Sequence, residues 1–322
     1  IMELADALLE RQIDAAIMKT SSIEMIDEMG DFTGFASDVK LIYSGEFTIK
    51  VATTEENVID NYLSSDDVIN VYISGIDSRG GINEVSRSDV NIIMSINKKT
   101  HNILMINTPR DYYVPLSISN GVRDKLTHAG VYGIECSRNT LEMFYGIQID
   151  YYVKVNFSGF EKIIDSLGGV DVTLDYSATL SQAGNLTVHN GVNHFNGEQA
   201  LAFARERYAY SDGDRQRGRN QMMIMEAAIK KACSPAIISN YTSVLSEVSK
   251  NVITDMSYDF IADLAQTQLN DMAAWNITQI SVTGVGSYSS TTYSMPGWSL
   301  YVMVPDEESV GNAREQIRDN YN

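Results

Sequence analysis

Five arginines, Arg205, Arg207, Arg215, Arg217 and Arg219, fall within fifteen positions of the stretch FARERYAYSDGDRQRGRNQ (203–221). The chain that carries them has 322 residues and a formal net charge of −18. Positive charge gathered against the sign of the whole molecule points to a local anion. Guanidinium forks bind phosphate oxygens bidentately, and a helix start adds free N–H groups. Arg205 and Arg207 stand two apart, so they share a face only where the backbone is extended. SDGD (211–214) reads as a turn with Gly213 free to take positive φ, and Asn220 and Gln221 open the next helix. An extended arm, a turn and a helix N-terminus can then meet at one point. The alternative is a solvated charged loop.

A second set of charges recurs at strand ends. SGID places Asp77 just past one strand, SRSD places Arg87 and Asp89 just before the next, and NTPRD places Arg110 at the end of a third. Pro109 fixes the exit geometry there. Carboxylates at the mouths of neighbouring strands can share a hard cation, and Mg2+ takes one or two carboxylates with phosphate oxygens and water. Each residue alone reads as an ordinary surface charge. Together they sit where α/β sheets place ligands.

The elements that must position these groups are legible as alternating patterns. VINVYISGID is a nearly continuous apolar run, suited to a strand buried on both faces. VNIIMSINKKTHNILMINTPRDYYV gives two strands around the polar turn NKKTHN. SRNTLEMFYG is a helix with a Gly stop, DYYVKVNF a strand, SGFEKIIDSLGG a capped helix, and VDVTLDY a further strand. NGEQALAFA is a short helix and RNQMMIMEAAIKKAC a longer amphipathic one. Polar helices follow Pro235, then the strands ITQISVTGV and SLYVMVP and a closing helix DEESVGNAREQIRDNY. The alternation predicts an α/β fold, a sheet covered by helices on both faces. Residues 1–45 read separately, as two helices and the strand VKLIYSGEFTIKV, joined to the rest near EENVIDNYLSSDD.

Composition narrows the partners. With 44% hydrophobic and 20% charged residues the chain is globular in type. An acidic surface repels nucleic acid on average, whereas one basic pocket can bind a small multiply charged anion. No apolar run reaches the roughly 18 residues of a membrane span. Because the first residue is Ile, an N-terminal targeting or membrane segment is expected upstream. Cys136 and Cys233 alone read as two buried thiols, or as one disulfide in an extracellular setting.

In order along the chain, GID, RSDVNIIMSIN, INTPRDYYV, KLTHAGVYG, YYVKVNFSGFEKIIDSLGGVDV, NGEQALAFARER and GDRQRGRNQ resemble the LytR–CpsA–Psr family. The likeness covers residues 68–235 and continues more loosely to YVMVPDEESV. It implies a three-layer α-β-α sandwich around a central mixed β-sheet over 67–322, with a small N-terminal α/β accessory segment and linker over 1–66. It implies an extracellular phosphotransferase, anchored by an N-terminal transmembrane segment. Such an enzyme moves a teichoic acid or capsular glycopolymer from a polyprenyl-pyrophosphate carrier to the C6 hydroxyl of muramic acid in peptidoglycan. The implied metal is Mg2+, or Mn2+ in its place, on Asp77 and Asp89. The implied pyrophosphate contacts are Arg87, Arg110, Lys125, Arg205, Arg207, Arg217 and Gln221.

The chemistry agrees, because pyrophosphate cleavage asks mainly for charge neutralisation and alignment. Asp214 is a candidate base for the acceptor hydroxyl, with Asp89 the alternative; Asp214 can equally orient Arg215 or Arg217. The implied extracellular setting turns Cys136 and Cys233 towards a disulfide. His128 takes a structural role near the site. Competing functions are a polyprenyl-pyrophosphate pyrophosphatase, a non-catalytic lipid-phosphate-binding module, and a DNA-binding transcriptional attenuator. The last needs a basic recognition helix that this acidic chain lacks.

Overall fold

Val68–Ile76 (β1) is buried at all but one of its nine residues because helices cover both of its faces. In this computed structural model, residues 39–40, 62–76, 82, 85–181, 186–210, 213–238 and 241–322 are described. The helices expected before residue 31, nearly all of the strand expected at 39–51, and Asp77 lie outside the described residues.

β1 is central to a six-stranded mixed sheet with Ser88–Asn97 (β2), Asn102–Asn107 (β3), Tyr151–Asn156 (β4), Val252–Thr254 (β5) and Asn276–Ser281 (β6). The order across the sheet is β5-β4-β1-β2-β3-β6. β1 pairs parallel to β4, and β3 parallel to β6; the β1–β2, β2–β3 and β4–β5 pairs are antiparallel. NKKTHN closes the β2–β3 hairpin as expected. The Asn97 side chain accepts from the backbone N–H groups of Lys99 and Thr100 at 3.0 Å each.

Alternation along each strand divides the sheet's side chains between two cores. On one face Tyr72, Ile93, Leu104 and Ile106 meet Leu141 and Tyr145 of helix Ile134–Tyr145 (α1). The same cluster includes Val310, Ala313 and Ile317 of the closing helix Glu307–Asn320. On the other face Ile73, Ile92 and Met105 meet Met222 and Ile229, with Phe260 and Leu264 of helix Tyr258–Asp271. The three layers are those expected.

Helices Phe157–Ser166 (α2), Gly197–Arg205 (α3) and Asp214–Ala232 (α4) share a further core with the ribbon Val170–Leu174 and Gly191–Phe195. VDVTLDY is therefore a strand, but of this ribbon and not of the central sheet. Among the described residues no helix is long and apolar enough to cross a membrane.

Two expectations are corrected. α4 begins at Asp214, so Arg215, Arg217 and Arg219 are helical and Asn220 and Gln221 lie in the helix's second turn. The Cys136–Cys233 disulfide is absent: neither cysteine is bridged. Cys136 sits on α1 with Leu116 and Ala129, whereas Cys233 caps α4, so the whole sheet stands between them. A bridge needs Cα atoms within about 7 Å.

Candidate functional site

β1, β3, β4 and β6 bring their C-terminal ends, and β2 its first residues, to one edge of the sheet. The start of β2 is held from below. Tyr72 Oη donates to Asn91 Oδ1 at 2.7 Å, and Ser88 Oγ lies 2.8 Å from Ser74 Oγ, all four side chains buried. Asp89 therefore leaves a rigid base. Its Oδ2 accepts from Arg110 Nη1 at 2.8 Å and its Oδ1 from Thr127 Oγ1 at 3.2 Å. Thr127 N–H in turn donates to the Arg110 carbonyl at 2.8 Å.

The arginine-rich segment is fixed by a buried carboxylate between two of its arginines. Glu206 Oε1 accepts from the backbone N–H groups of Arg207, Tyr208 and Ala209 at 2.9, 2.7 and 3.1 Å. Glu206 itself is extended, with φ −66° and ψ 131°. Arg205, ending α3, and Arg207 thus line the same cavity, as their spacing required. Gly213 has a φ of 48°, the positive value expected of it.

α4 then crosses the strand ends. The carbonyls ending α3 lack helical partners. Asn220 Nδ2 donates to Phe203 O at 3.0 Å and Gln221 Nε2 to Ala204 O at 3.5 Å. Gly218 lets the helix settle on β3, since a Cβ there would fall 2.3 Å from Asn107 Nδ2.

Two cavities flank α4. One, of about 240 Å³, lies over β4, β1 and β2. Its wall is apolar, with Ile73, Ile92, Phe157, Phe160, Leu201 and Met225, and Arg205 and Arg207 join it. The Arg205 guanidinium stacks on Phe157 with its carbon 4.2 Å from the ring centre. The other, of about 350 Å³, lies over the ends of β3 and β6 and is lined mainly by residues with polar or charged side chains. Asn107, Gln279, Ser281, Arg215 and Arg219 are among its lining. Asp89, Arg110, Arg217 and Gln221 line both.

Of the residues expected at the site, Asp89, Arg110, Arg205, Arg207, Arg217 and Gln221 come together. Lys125 and Arg87 line neither cavity. Lys125 Nζ instead pairs with Asp111 Oδ1 at 2.8 Å, and Asp111 Oδ2 lies 3.6 Å from Arg110 Nε. Arg87 is exposed in the loop before β2. Asp214 starts α4, and its side chain lies outside the described residues.

Sequence reasoning missed Glu206, whose only signal is its place in RER. It also missed the apolar wall, whose residues read as plain core. Among the described residues no three His, Cys, Asp or Glu side chains converge to hold a metal. Asp89 is a carboxylate on a wall open to both cavities, with its two oxygens held by Arg110 and Thr127.

His128 is structural in its geometry. Its Nδ1 lies 2.7 Å from Asp124 Oδ1 and 2.9 Å from Ser294 Oγ, so carboxylate and hydroxyl share one ring nitrogen and no relay passes through the ring. Burial pushes the Asp124 carboxyl up, but the His128 hydrogen bond and charge, with the Ser294 hydrogen bonds, hold it below the ordinary carboxylate range.

Fold and site together define an α/β protein with an arginine-lined cleft at its strand ends. The LytR_cpsA_psr family model matches residues 39–306. The chain belongs to the LytR_cpsA_psr family. It is 34% identical over 197 residues to the polyisoprenyl-teichoic acid–peptidoglycan teichoic acid transferase TagU of Bacillus cereus, covering 60% of this chain and 62% of the relative. The chain thus spans just under two thirds of that relative's length. A protein of the same name from Halalkalibacterium halodurans is 34% identical over 247 residues, covering 76% of this chain and 77% of the relative. Among solved structures, B. subtilis TagV superposes with a TM-score of 0.67 at 27% identity, over 80% of this chain and 98% of that one. TagT bound to LI-WTA superposes with a TM-score of 0.64 at 26% identity, over 79% and 91%.

Proposed function

We propose that this chain transfers a glycopolymer from a polyprenyl-pyrophosphate carrier to peptidoglycan, at the outer face of the membrane where the two meet. The observation that carries this is the meeting of an apolar and a polar cavity at one charged wall, Asp89, Arg110, Arg217 and Gln221. A lipid diphosphate fits the apolar cavity together with that charged wall. Its isoprenoid tail suits the apolar cavity, its diphosphate the arginines, and its glycan the water-facing side. The TagU relatives are named as transferases of teichoic acid between polyisoprenyl-teichoic acid and peptidoglycan, which supports the reading.

In the step, an acceptor hydroxyl oxygen, at C6 of muramic acid, bonds to the phosphorus that carries the glycan. The bridging P–O bond to the polyprenyl phosphate breaks, and the electron pair leaves with the polyprenyl monophosphate. Arg110, Arg205, Arg207 and Arg217 neutralise the charge that grows on the leaving phosphate, and Gln221 adds an amide donor. The hydroxyl proton passes to a carboxylate, for which Asp89 stands at the shared wall and Asp214 at the head of α4. Asp89, with Asp77, would hold Mg2+, which supplies further charge neutralisation on the diphosphate.

The test is transfer from a polyprenyl-diphosphate-linked glycan to peptidoglycan, with products separated into polymer-linked peptidoglycan and free phosphorylated glycan. Linked product from the wild type and its loss in Arg110→Ala supports the reading. Free glycan phosphate alone would make the chain a pyrophosphatase. Chelation should lower the rate and Mg2+ restore it.

A further inference from the structure

The two cavities are unequal in kind, and only the apolar one has an evident role in holding the carrier. The polar cavity has a floor of hydrogen-bonding side chains, Asn107, Gln279 and Ser281. Its outer wall is the first two turns of α4, where Arg215 and Arg219 stand four residues apart on one helix face, both exposed. Each is oriented. Arg215 Nη2 donates to the Gly284 carbonyl at 3.2 Å, and Arg219 Nε donates to Gln216 Oε1 at 2.9 Å.

Gly284 also begins the hairpin of Gly284–Thr291 and Pro296–Pro305, whose Met303 lines the same cavity. Residues two apart on a strand share a side. The side that carries Met303, paired with Gly286, therefore continues outward to the cross-strand pair Tyr288 and Tyr301. Tyr288 is 73% exposed and Tyr301 41%, their ring centres 5.9 Å apart. Exposed tyrosine rings two strand pairs out from the cavity wall suit sugar rings, and the arginines suit a carboxylate or phosphate on them.

Direction decides which sugar. Phosphoryl transfer runs with the attacking and leaving oxygens roughly in line through phosphorus. The leaving polyprenyl phosphate lies over β4, β1 and β2. The nucleophile then comes from beyond the shared wall, over β3 and β6. We infer that the polar cavity and the Tyr288–Tyr301 hairpin face form the acceptor subsite, which takes an anionic glycan strand and aims its hydroxyl at the shared wall, with Arg215 and Arg219 as its charge-reading residues. This rests on the transferase reading above.

The experiment varies soluble, uncross-linked peptidoglycan strands at saturating polyprenyl-diphosphate-linked disaccharide, and then the reverse. Arg215→Ala with Arg219→Ala should raise the acceptor KM by about 10-fold or more, the loss expected for charge-assisted contacts. Tyr288→Ala should raise it about threefold, and both variants should keep donor KM and thermal midpoint near wild type. An unchanged acceptor KM overturns the inference, and so does a rise confined to donor KM, which would give the cavity to the donor's glycan. If the wild type transfers nothing, the transferase reading fails by itself. Titration of the strands into wild type and the double variant then decides the subsite, and equal affinities overturn it.

Discussion

Arg110, just beyond β3, donates to the Asp89 carboxylate of β2 at 2.8 Å, on the wall that both cavities share. On the transferase reading proposed above, removing this guanidinium takes positive charge from where the leaving phosphate would form. Arg110→Ala should lower kcat about 10²–10³-fold, the usual loss for one preorganised donor. Arg110→Lys should recover little, since an ammonium lacks the fork. Steady-state transfer assays check both.

Glu206 accepts three backbone N–H groups and is fully buried. Glu206→Ala leaves those donors without their acceptor, at a cost of about 1–3 kcal/mol or more. Arg205 and Arg207 then lose their shared orientation. Chemical denaturation should report the stability loss, and donor KM should rise with it. A variant with wild-type stability and donor KM would refute the assignment.

Gly218 lies inside a helix, where alanine is ordinarily better by about 1 kcal/mol. Here the added methyl would fall 2.3 Å from Asn107 Nδ2. Gly218→Ala should therefore destabilise, by about 1–3 kcal/mol as for other overpacked sites. A melting temperature at or above wild type would mean that the Asn107 amide swings clear of the added methyl.

Asp124 gives a pH signature. Its folded pKa lies below its unfolded one, because the contacts with His128 and Ser294 outweigh burial. Its contribution is therefore present above the ordinary carboxylate pKa of about 3.9 and is lost as pH falls through the lower, folded value. Thermal melts from pH 7 down to 3 should show this acid limb, and Asp124→Asn should flatten it while lowering neutral-pH stability.

Cys136 and Cys233 lie on opposite faces of the sheet, unbridged, and burial pushes the pKa of the Cys233 thiol up. Alkylation of denatured, unreduced protein should modify both cysteines, and native protein should react slowly. Detection of a mass consistent with one bridge would contradict the structure.

The sequence by itself determined the residue types of the site and their places at strand ends. Asp89 and Arg110 are legible because a strand's apolar run stops where its edge meets solvent, and the RER pair because a helix's apolar pattern stops there, so the charges stand out. The layered fold was legible for a related reason: each apolar period reports a face pressed on a core. Tertiary structure decided what no period reports. The first two turns of α4 face a polar-lined cavity on one side, so they carry no apolar stripe, and nothing in the sequence marks Gly218 as a close helix–strand approach. The apolar cavity was invisible because residues such as Ile73 and Phe160 have the same pattern whether they touch other side chains or an open space. The separation of Cys136 from Cys233 likewise depends on which face of the sheet each helix covers, a choice made by packing across the whole molecule.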